Sequence, residues 1–362
     1  MTLAGQIVTG VDVALFVVFL LVLILPFKVR RVERNLEIFL FVMGATAVTV
    51  TGKWALGLVA TAVEEPIIKG IVPAVLIAGL IFHFGRTPFH RAMGALVGRI
   101  PMAVLVFSVV TLLGFLSSVI TAIIAALFLV EIISVMPLSR GSRIDLAIIA
   151  CFSIGLGAVL TPLGEPLSTI AVVKLSGEPY CATFWYLLRH LGILISVGVV
   201  GCGLFGAFLL GRKTAYADQG ESVREKGLGE VFVRTLKVYA FVAALFLLGA
   251  GMEVIIYKYF SKIPDYALFW FNMVSAILDN ATLTAAEIAP IMTQGQINAA
   301  LYGLLVSGGM LIPGNIPNII SAGKLGITSR EWARLGVPLG LVLNVIFFVL
   351  VFVLKVNLQL PV

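Results

Sequence analysis

Charge is what this sequence is short of. Only 12% of its 362 residues are Asp, Glu, Lys or Arg, about half the ~25% typical of a soluble domain, while 60% are hydrophobic. No water-facing surface can be made from that composition. Cysteine and histidine are equally scarce, three of each. Cys151, Cys181 and Cys202 are odd in number and lie in or beside apolar runs, so they read as small core residues rather than a disulfide framework or metal site. His83, His90 and His190 have no spacing that suits metal ligation and read as structural. Gly-x-Ser-x-Gly, His-Glu-x-x-His and paired-aspartate motifs are absent too, which removes intramembrane proteolysis, and the chain is expected not to be an enzyme.

What is present is apolar runs long enough to cross a hydrocarbon core, which takes roughly 20 helical residues for ~30 Å. Without water the backbone must bond within itself, so only helices or closed barrels span. A barrel needs alternating segments of about ten residues, not continuous runs such as Val13–Phe27. An all-α polytopic membrane protein is expected. Val13–Phe27 lacks the basic flank and cleavage site of a secretory signal and is kept as a first helix, with Asp12 near its outer end. The positive-inside rule then orients the chain. Lys28, Arg30, Arg31 and Arg34 place the first loop in the cytoplasm; Leu36–Thr51 leads out to a polar stretch with Glu64 and Glu65; Ile67–Phe84 returns to Arg86, Arg91 and Arg99. Continued to the end, 18 of the 25 Lys and Arg are cytoplasmic, with both termini outside an inner (cytoplasmic) membrane. Loop charges of this kind account for the net charge of +7 without a nucleic-acid partner.

Ile100–Met136 is too long for one comfortable span and ends in Arg140 and Arg143. A single crossing would carry those arginines outside; a re-entrant hairpin turning near Ser117-Ser118 keeps them inside. Leu146–Leu175 follows, broken by Thr161-Pro162-Leu163-Gly164-Glu165-Pro166, and Phe184–Leu210 returns. Beyond a mixed-charge stretch, Leu236–Tyr257 leads out, Tyr266–Met292 is interrupted at Asp279-Asn280, Ile297–Lys324 is broken by Pro313-Gly314-Asn315-Ile316-Pro317, and Leu335–Leu354 exits. Ser117-Ser118-Val119-Ile120 resembles Ser275-Ala276-Ile277-Leu278, Pro162 and Pro166 match Pro313 and Pro317, and Lys174 and Lys324 follow the two breaks. Each half reads as helix, hairpin, broken helix, helix, in opposite orientations. Such an inverted repeat with two re-entrant hairpins and two interrupted helices is the sequence sign of a transporter with a midplane site. The expected division is 1–65 as an N-terminal helix pair, 66–211 as the first repeat, 212–235 as a cytoplasmic linker and 236–362 as the second repeat.

An interrupted helix leaves N–H groups bare at one half and carbonyls at the other, which can coordinate an ion stripped of water. Ionisable residues at that depth cost roughly 2.5–3.5 kcal/mol each on insertion scales. Asp279, beside Asn280 and near Ser275, Thr282 and Thr284, and Glu165, near Thr161 and Ser168, therefore read as an oxygen cage for a small cation such as Na⁺, or as proton carriers. The competing readings are that Glu165 neutralises a helix N-terminus or pairs with Lys174, and that Asp279 caps a helix. Glu131 and Glu287, on the returning hairpin arms, read as proton-path residues or as snorkelling charges; Glu253 reads as interfacial.

Ser275-Ala276-Ile277-Leu278-Asp279-Asn280 resembles the Ser-Ala-x-x-Asp-Asn hairpin signature of the ion transporter superfamily, particularly NhaD-type sodium/proton antiporters and ArsB-type arsenite transporters. The two breaks, residues 160–166 and 313–318, look like that superfamily's paired unwound helices. The likeness covers about residues 66–355 in order of elements, and is strongest to a little-characterised group of predicted cation transporters. It implies an elevator-type or rocking carrier, often homodimeric, with substrate held between hairpin tips and unwound loops. Asp279, Asn280, Thr161, Glu165, Asn315 and Asn318 are the positions it carries over. The first hairpin departs from the pattern, with Ser117, Ser118 and Thr121 where a second acid-amide pair would stand, which makes the site asymmetric. The leading expectation is export of Na⁺ or Li⁺ in exchange for protons, with Asp279 and Glu165 handling ion and proton and no cofactor. The alternative is a Na⁺- or H⁺-coupled carrier of an anion or neutral oxyacid, arsenite-like or carboxylate, since half-helix N-termini also receive anions; a channel is the third reading.

Overall fold

The computed structural model of the chain describes residues 9–29, 35–68, 100–211, 228–259, 263–278, 280–288 and 290–355, with short pieces at 2–3, 6–7 and 31–32 and single residues 73 and 76. Asp279 lies outside the described residues, as do most of the expected span Ile67–Phe84, the loop of Arg86, Arg91 and Arg99, and linker residues 212–227; so do the side chains of Glu65 and Thr282. Apart from a two-residue antiparallel pairing of Thr2–Leu3 with Gln6–Ile7, the described elements are helices. In chain order they are α1 (Gly10–Lys28), α2 (Leu36–Thr51), α3 (Leu56–Ile68), α4 (Met102–Ile120), α5 (Ala122–Val135), α6 (Arg140–Ala158), α7 (Pro166–Lys174), α8 (Tyr186–Leu210), α9 (Leu228–Tyr259), α10 (Asp265–Phe271, continued as a 3-10 turn over Asn272–Ala276), α11 (Asn280–Glu287), α12 (Gln294–Gly308), α13 (Ile316–Leu325) and α14 (Ser329–Phe348, continued as a π turn over Val349–Val353).

Local chemistry explains where these helices begin and end. Thr9 with Asp12, Thr293 with Gln296, and Thr328 with Glu331 form capping boxes at the starts of α1, α12 and α14, each satisfying bare N–H groups reciprocally. Pro166 and Pro317 sit in the first turns of α7 and α13, where a missing N–H costs nothing. Gly52 and Gly326 end α2 and α13 with φ of 64° and 62°, a left-handed conformation that glycine takes without steric penalty.

Among the described residues, four helices are long and apolar enough to cross a membrane: Met102–Ile120, Arg140–Ala158, Tyr186–Leu210 and Ser329–Val353. Their outward faces are apolar as well. Leu112, Leu116 and Val119 on α4, Val197, Leu204 and Phe208 on α8, and Val342, Val345 and Val349 on α14 recur at helical spacing and are exposed. Water would penalise such stripes, whereas lipid accepts them. The chain is a helical membrane protein. By contrast α6 is buried from Leu146 to Ala158, a helix apolar all round at the centre of a bundle.

Packing sorts the helices. α4, α6 and α8 pack mutually; α12 packs on α10, its 3-10 turn, α11 and α14; α2 packs closely on α9, with α3 beside it. Several contacts cross between the halves: α13 lies on α5 and α6, α7 lies on α11, and α12 and α14 also touch α6. Where α2 meets α9, Gly44 lies against the backbone of Ala244 and Leu248, and Gly251 against Ala47 and Val48. Helices associate this closely in lipid when small residues face each other.

Several expectations are corrected. The turn in Ile100–Met136 falls at Thr121, not Ser117-Ser118: α4 runs through both serines to Ile120, and Thr121 alone separates it from α5. Serine hydroxyls can bond back to carbonyls three residues earlier, so two serines do not interrupt a helix. Glu64 is exposed on α3 rather than in a loop, and α9 begins at Leu228, inside the stretch read as linker. Cys151 and Cys202 are buried, but Cys181 is exposed, because it lies in the connection between α7 and α8. Glu253 ion-pairs with Lys53.

Asp12 is buried in the first turn of α1 and meets Lys258 of α9 at 2.5 Å. Removing one member of a buried ion pair leaves the other's desolvation unrepaid. Lys258→Met is expected to cost about 3–5 kcal/mol, read as a lower unfolding midpoint in detergent. Asp12→Asn combined with Lys258→Met should recover much of that loss. An unchanged midpoint in the single variant would count against this pair as a staple between α1 and α9.

Candidate functional site

The two helix breaks are the places where polar groups gather in an otherwise apolar interior. The first runs from Val159 to Glu165. Thr161 is buried, and its hydroxyl donates to the Ser118 carbonyl at 2.5 Å, while the Ala122 N–H donates to the Gly164 carbonyl at 2.8 Å. These two bonds lace the α4–α5 turn to the break. They also hold Thr121 at φ 76°, a region that costs a β-branched residue about 1–3 kcal/mol and persists only where its surroundings impose it. Ser117 Oγ lies 2.6 Å from the Gly114 carbonyl and 3.0 Å from that of Ile154 on α6, and Ser118 donates to Phe115. Both hydroxyl protons are thus given to backbone. Glu165 is buried immediately before α7, and its carbonyl accepts from Ser168 Oγ at 2.7 Å; a carboxyl there stands at the positive end of the short helix.

The second break, Gly309–Asn315, is richer in oxygen. Asn318 clamps it: Nδ2 donates to the carbonyls of Gly308 at 2.8 Å and Leu311 at 2.9 Å. Ser275 Oγ donates to the Leu304 carbonyl at 2.9 Å, tying the 3-10 turn to α12. Gly314 is crowded on one side by three carbonyls. A Cβ built there would lie 2.5 Å from Gly308 O, 2.6 Å from Ser275 O and 3.0 Å from Ala276 O. Two helix C-terminal ends, that of the 3-10 turn and that of α12, therefore direct carbonyl oxygen at one point, and such ends carry partial negative charge. Around Gly308 a built Cβ would meet Gly314 O at 3.1 Å, Ser275 Oγ at 3.3 Å and Asn280 Nδ2 at 3.7 Å. Asn280 Nδ2 and Asn318 Oδ1 are both buried with no hydrogen-bond partner among the described residues. Buried polar atoms are seldom left so.

The second break also touches the first half. Asn315 Nδ2 lies 2.7 Å from the point a Cβ on Gly155 would occupy, one helical turn before the first break. Cys151 Sγ on α6 approaches Ser321 Oγ on α13 at 3.3 Å. Ser275, Asn280, Asn315 and Asn318 are thus drawn together, and Ser117, Ser118, Thr121 and Thr161 form a neighbouring set. Glu131 is not in either. It pairs with Lys324 at 3.7 Å across the α5–α13 contact, both groups largely buried, so the lysine after the second break is engaged with a carboxylate of the first half. Glu287 instead lies beside Asn272.

Among the buried polar residues that the sequence reading did not name, three tie helices together. Asn344 Nδ2 donates to the Gly340 carbonyl at 2.9 Å and lies 3.2 Å from Ser307 Oγ; Asn272 Nδ2 donates to the Ala300 carbonyl at 3.3 Å; Ser153 Oγ donates to Val110. An amide in the middle of Leu-Val-Leu-Asn-Val-Ile is itself a signal, since polar side chains at that depth need partners.

A comparison with curated proteins finds no match. A family model described as Protein of unknown function (DUF1646) matches residues 12–354, almost the whole chain, and the chain belongs to that family.

Proposed function

We propose that this protein is a secondary active transporter that exchanges Na⁺ or Li⁺ for protons. The observation that carries the reading is the convergence of the Gly308, Ser275 and Ala276 carbonyls beside Gly314, with Asn318 of α13 bonded to the Gly308 carbonyl through its amide nitrogen. Hard oxygen donors suit a small hard cation, and helix C-terminal ends add the sign of charge it needs. Asp279 follows this turn in the chain and supplies formal negative charge; Glu165 supplies it from the first break. Broken helices with binding groups at the break are how secondary transporters build midplane sites. In this reading α4–α8 and α10–α14 are inverted repeats, the α4–α5 and α10–α11 turns are re-entrant hairpins, and the protein is a homodimer of the cytoplasmic membrane with both termini outside. The contacts of α13 with α5 and of α7 with α11 support it, since each half's post-break helix rests on the other half's returning arm.

The test is exchange in reconstituted vesicles carrying a pH dye. An imposed Na⁺ or Li⁺ gradient is expected to move protons in the wild type. Asp279→Asn and Glu165→Gln are each expected to slow exchange by roughly tenfold or more, the effect of losing at least ~1.4 kcal/mol of ion binding. Failure of the wild type to move protons, or normal exchange in both variants, would end the reading. Asn280 Nδ2 favours one other: a buried donor with no acceptor among the described residues suits a neutral oxyacid or carboxylate, and uptake of such a solute without cation-driven proton movement would select it.

A further inference from the structure

One buried carboxyl plays no part in the cation cluster. Glu287 closes α11, is 9% exposed, and neither of its oxygens has a hydrogen-bond partner among the described residues. Asn272 stands beside it, but Asn272 gives its nitrogen to Ala300 and its own Oδ1 is buried without a donor. The wedge between α11, the 3-10 turn and α12 therefore holds three acceptor oxygens, and the donor beside them, the Asn272 amide, is shared with the Ala300 carbonyl. The elements packed against α11 carry charged and titratable side chains of their own. On α9, Lys258 meets Asp12 and Glu253 meets Lys53; Lys174 of α7 is felt by Glu253; Tyr302 of α12 is buried, with no described contact to the carboxyl. An ionised carboxylate so placed would carry a desolvation cost of several kcal/mol with nothing to offset it. A neutral acid avoids that cost and gains one O–H donor. Directed at Asn272 Oδ1, that donor pairs the amide oxygen with one carboxyl oxygen and leaves only a neutral carbonyl oxygen in place of a buried charge.

We propose that Glu287 is a proton-binding site separate from the cation site, its acid O–H donated to Asn272 Oδ1. Loading forms one O–H bond with a proton taken from solvent water; unloading breaks it, returns the proton to water and leaves the carboxylate. The two sites share a lever. Asn272 begins the 3-10 turn whose other end carries the Ser275 and Ala276 carbonyls, so losing the Glu287 bond frees the turn that presents oxygen to the cation. This coupling rests on the transport reading; the proton site itself does not.

Infrared difference spectroscopy on the full-length protein in lipid, titrated across roughly pH 5–10 to span the range documented for buried glutamates, tests the site without any transport. A titrating neutral-acid carbonyl stretch is expected in the wild type, absent in Glu287→Gln, present in Glu131→Gln, and shifted in frequency in Asn272→Ala, which keeps the acid but removes its acceptor. Persistence of the same band in Glu287→Gln, or an unshifted band in Asn272→Ala, overturns the proposal. Added Na⁺ should release a proton from the wild type and none from Glu287→Gln. Proton release undiminished in Glu287→Gln overturns the coupling, whereas no release from a wild type whose acid band behaves as expected overturns the exchange reading and leaves the proton site standing.

Discussion

Gly314→Ala is expected to abolish cation exchange while the protein still folds. The added methyl would lie 2.5, 2.6 and 3.0 Å from the carbonyls of Gly308, Ser275 and Ala276. All three are backbone atoms held by helices, so none can swing aside as a side chain would. Overpacking of this kind typically costs ~1–3 kcal/mol, which a chain of this size survives. The displacement needed to relieve it, however, falls on the oxygens proposed to bind the ion, and a site loosened by about 1 Å can lose on the order of a hundredfold in rate. Gly323→Ala is the control: it lies on α13 with nothing within 4 Å of its Cβ position, and exchange should be unchanged. Vesicle flux and the thermal midpoint, measured together, separate the two effects. Wild-type flux in Gly314→Ala would remove the carbonyl cluster from the mechanism.

The largest loss of stability is expected from Gly157→Ala. Here α4 and α6 cross with Gly157 against the Gly114 carbonyl, so close that a methyl on Gly157 would overlap it. Ser153 Oγ, bonded to Val110 at 2.9 Å, and Ser117 Oγ, 3.0 Å from Ile154, lace the same crossing. In lipid the association of helices depends on van der Waals contact and interhelical bonds, because burial of apolar surface brings no gain there. Forcing α4 off α6 breaks both, so the cost should exceed the usual ~1–3 kcal/mol of overpacking. The readout is failure to elute as a single species from size exclusion in detergent, with Gly141→Ala, which meets open space, eluting normally. A Gly157→Ala protein with the wild-type midpoint would mean that α4 and α6 are not held by this crossing.

Much of the architecture was legible in one dimension. Leu36–Thr51 was read at the bounds α2 adopts, and the proline-marked breaks lie between α6 and α7 and between α12 and α13. Proline declares itself because its ring forbids the interior of a helix and suits a first turn. Ser117-Ser118 misled because a serine pair signals a break only when its hydroxyls lack a carbonyl within reach, and in α4 they have one. Of the site, Thr161, Glu165, Ser275 and Asn280 were named from their neighbours in the chain and Asn315 and Asn318 from the resemblance, and all are buried. Asn272, Asn344 and Ser153 were not, since no local motif surrounds them.

By itself the sequence determined that the chain lives in a membrane, that it does so as helices, and where two of them stop and restart. Those properties follow from composition, periodicity and the covalent geometry of proline, which act over a few residues. Which groups meet was decided only by the tertiary structure. That Lys324 reaches Glu131, that Asn315 rests on Gly155, that three carbonyls crowd Gly314 and that Glu287 lies beside Asn272 depend on helices distant in the chain crossing at close range. Each side chain points where it does because its neighbours across the crossing leave it no other place.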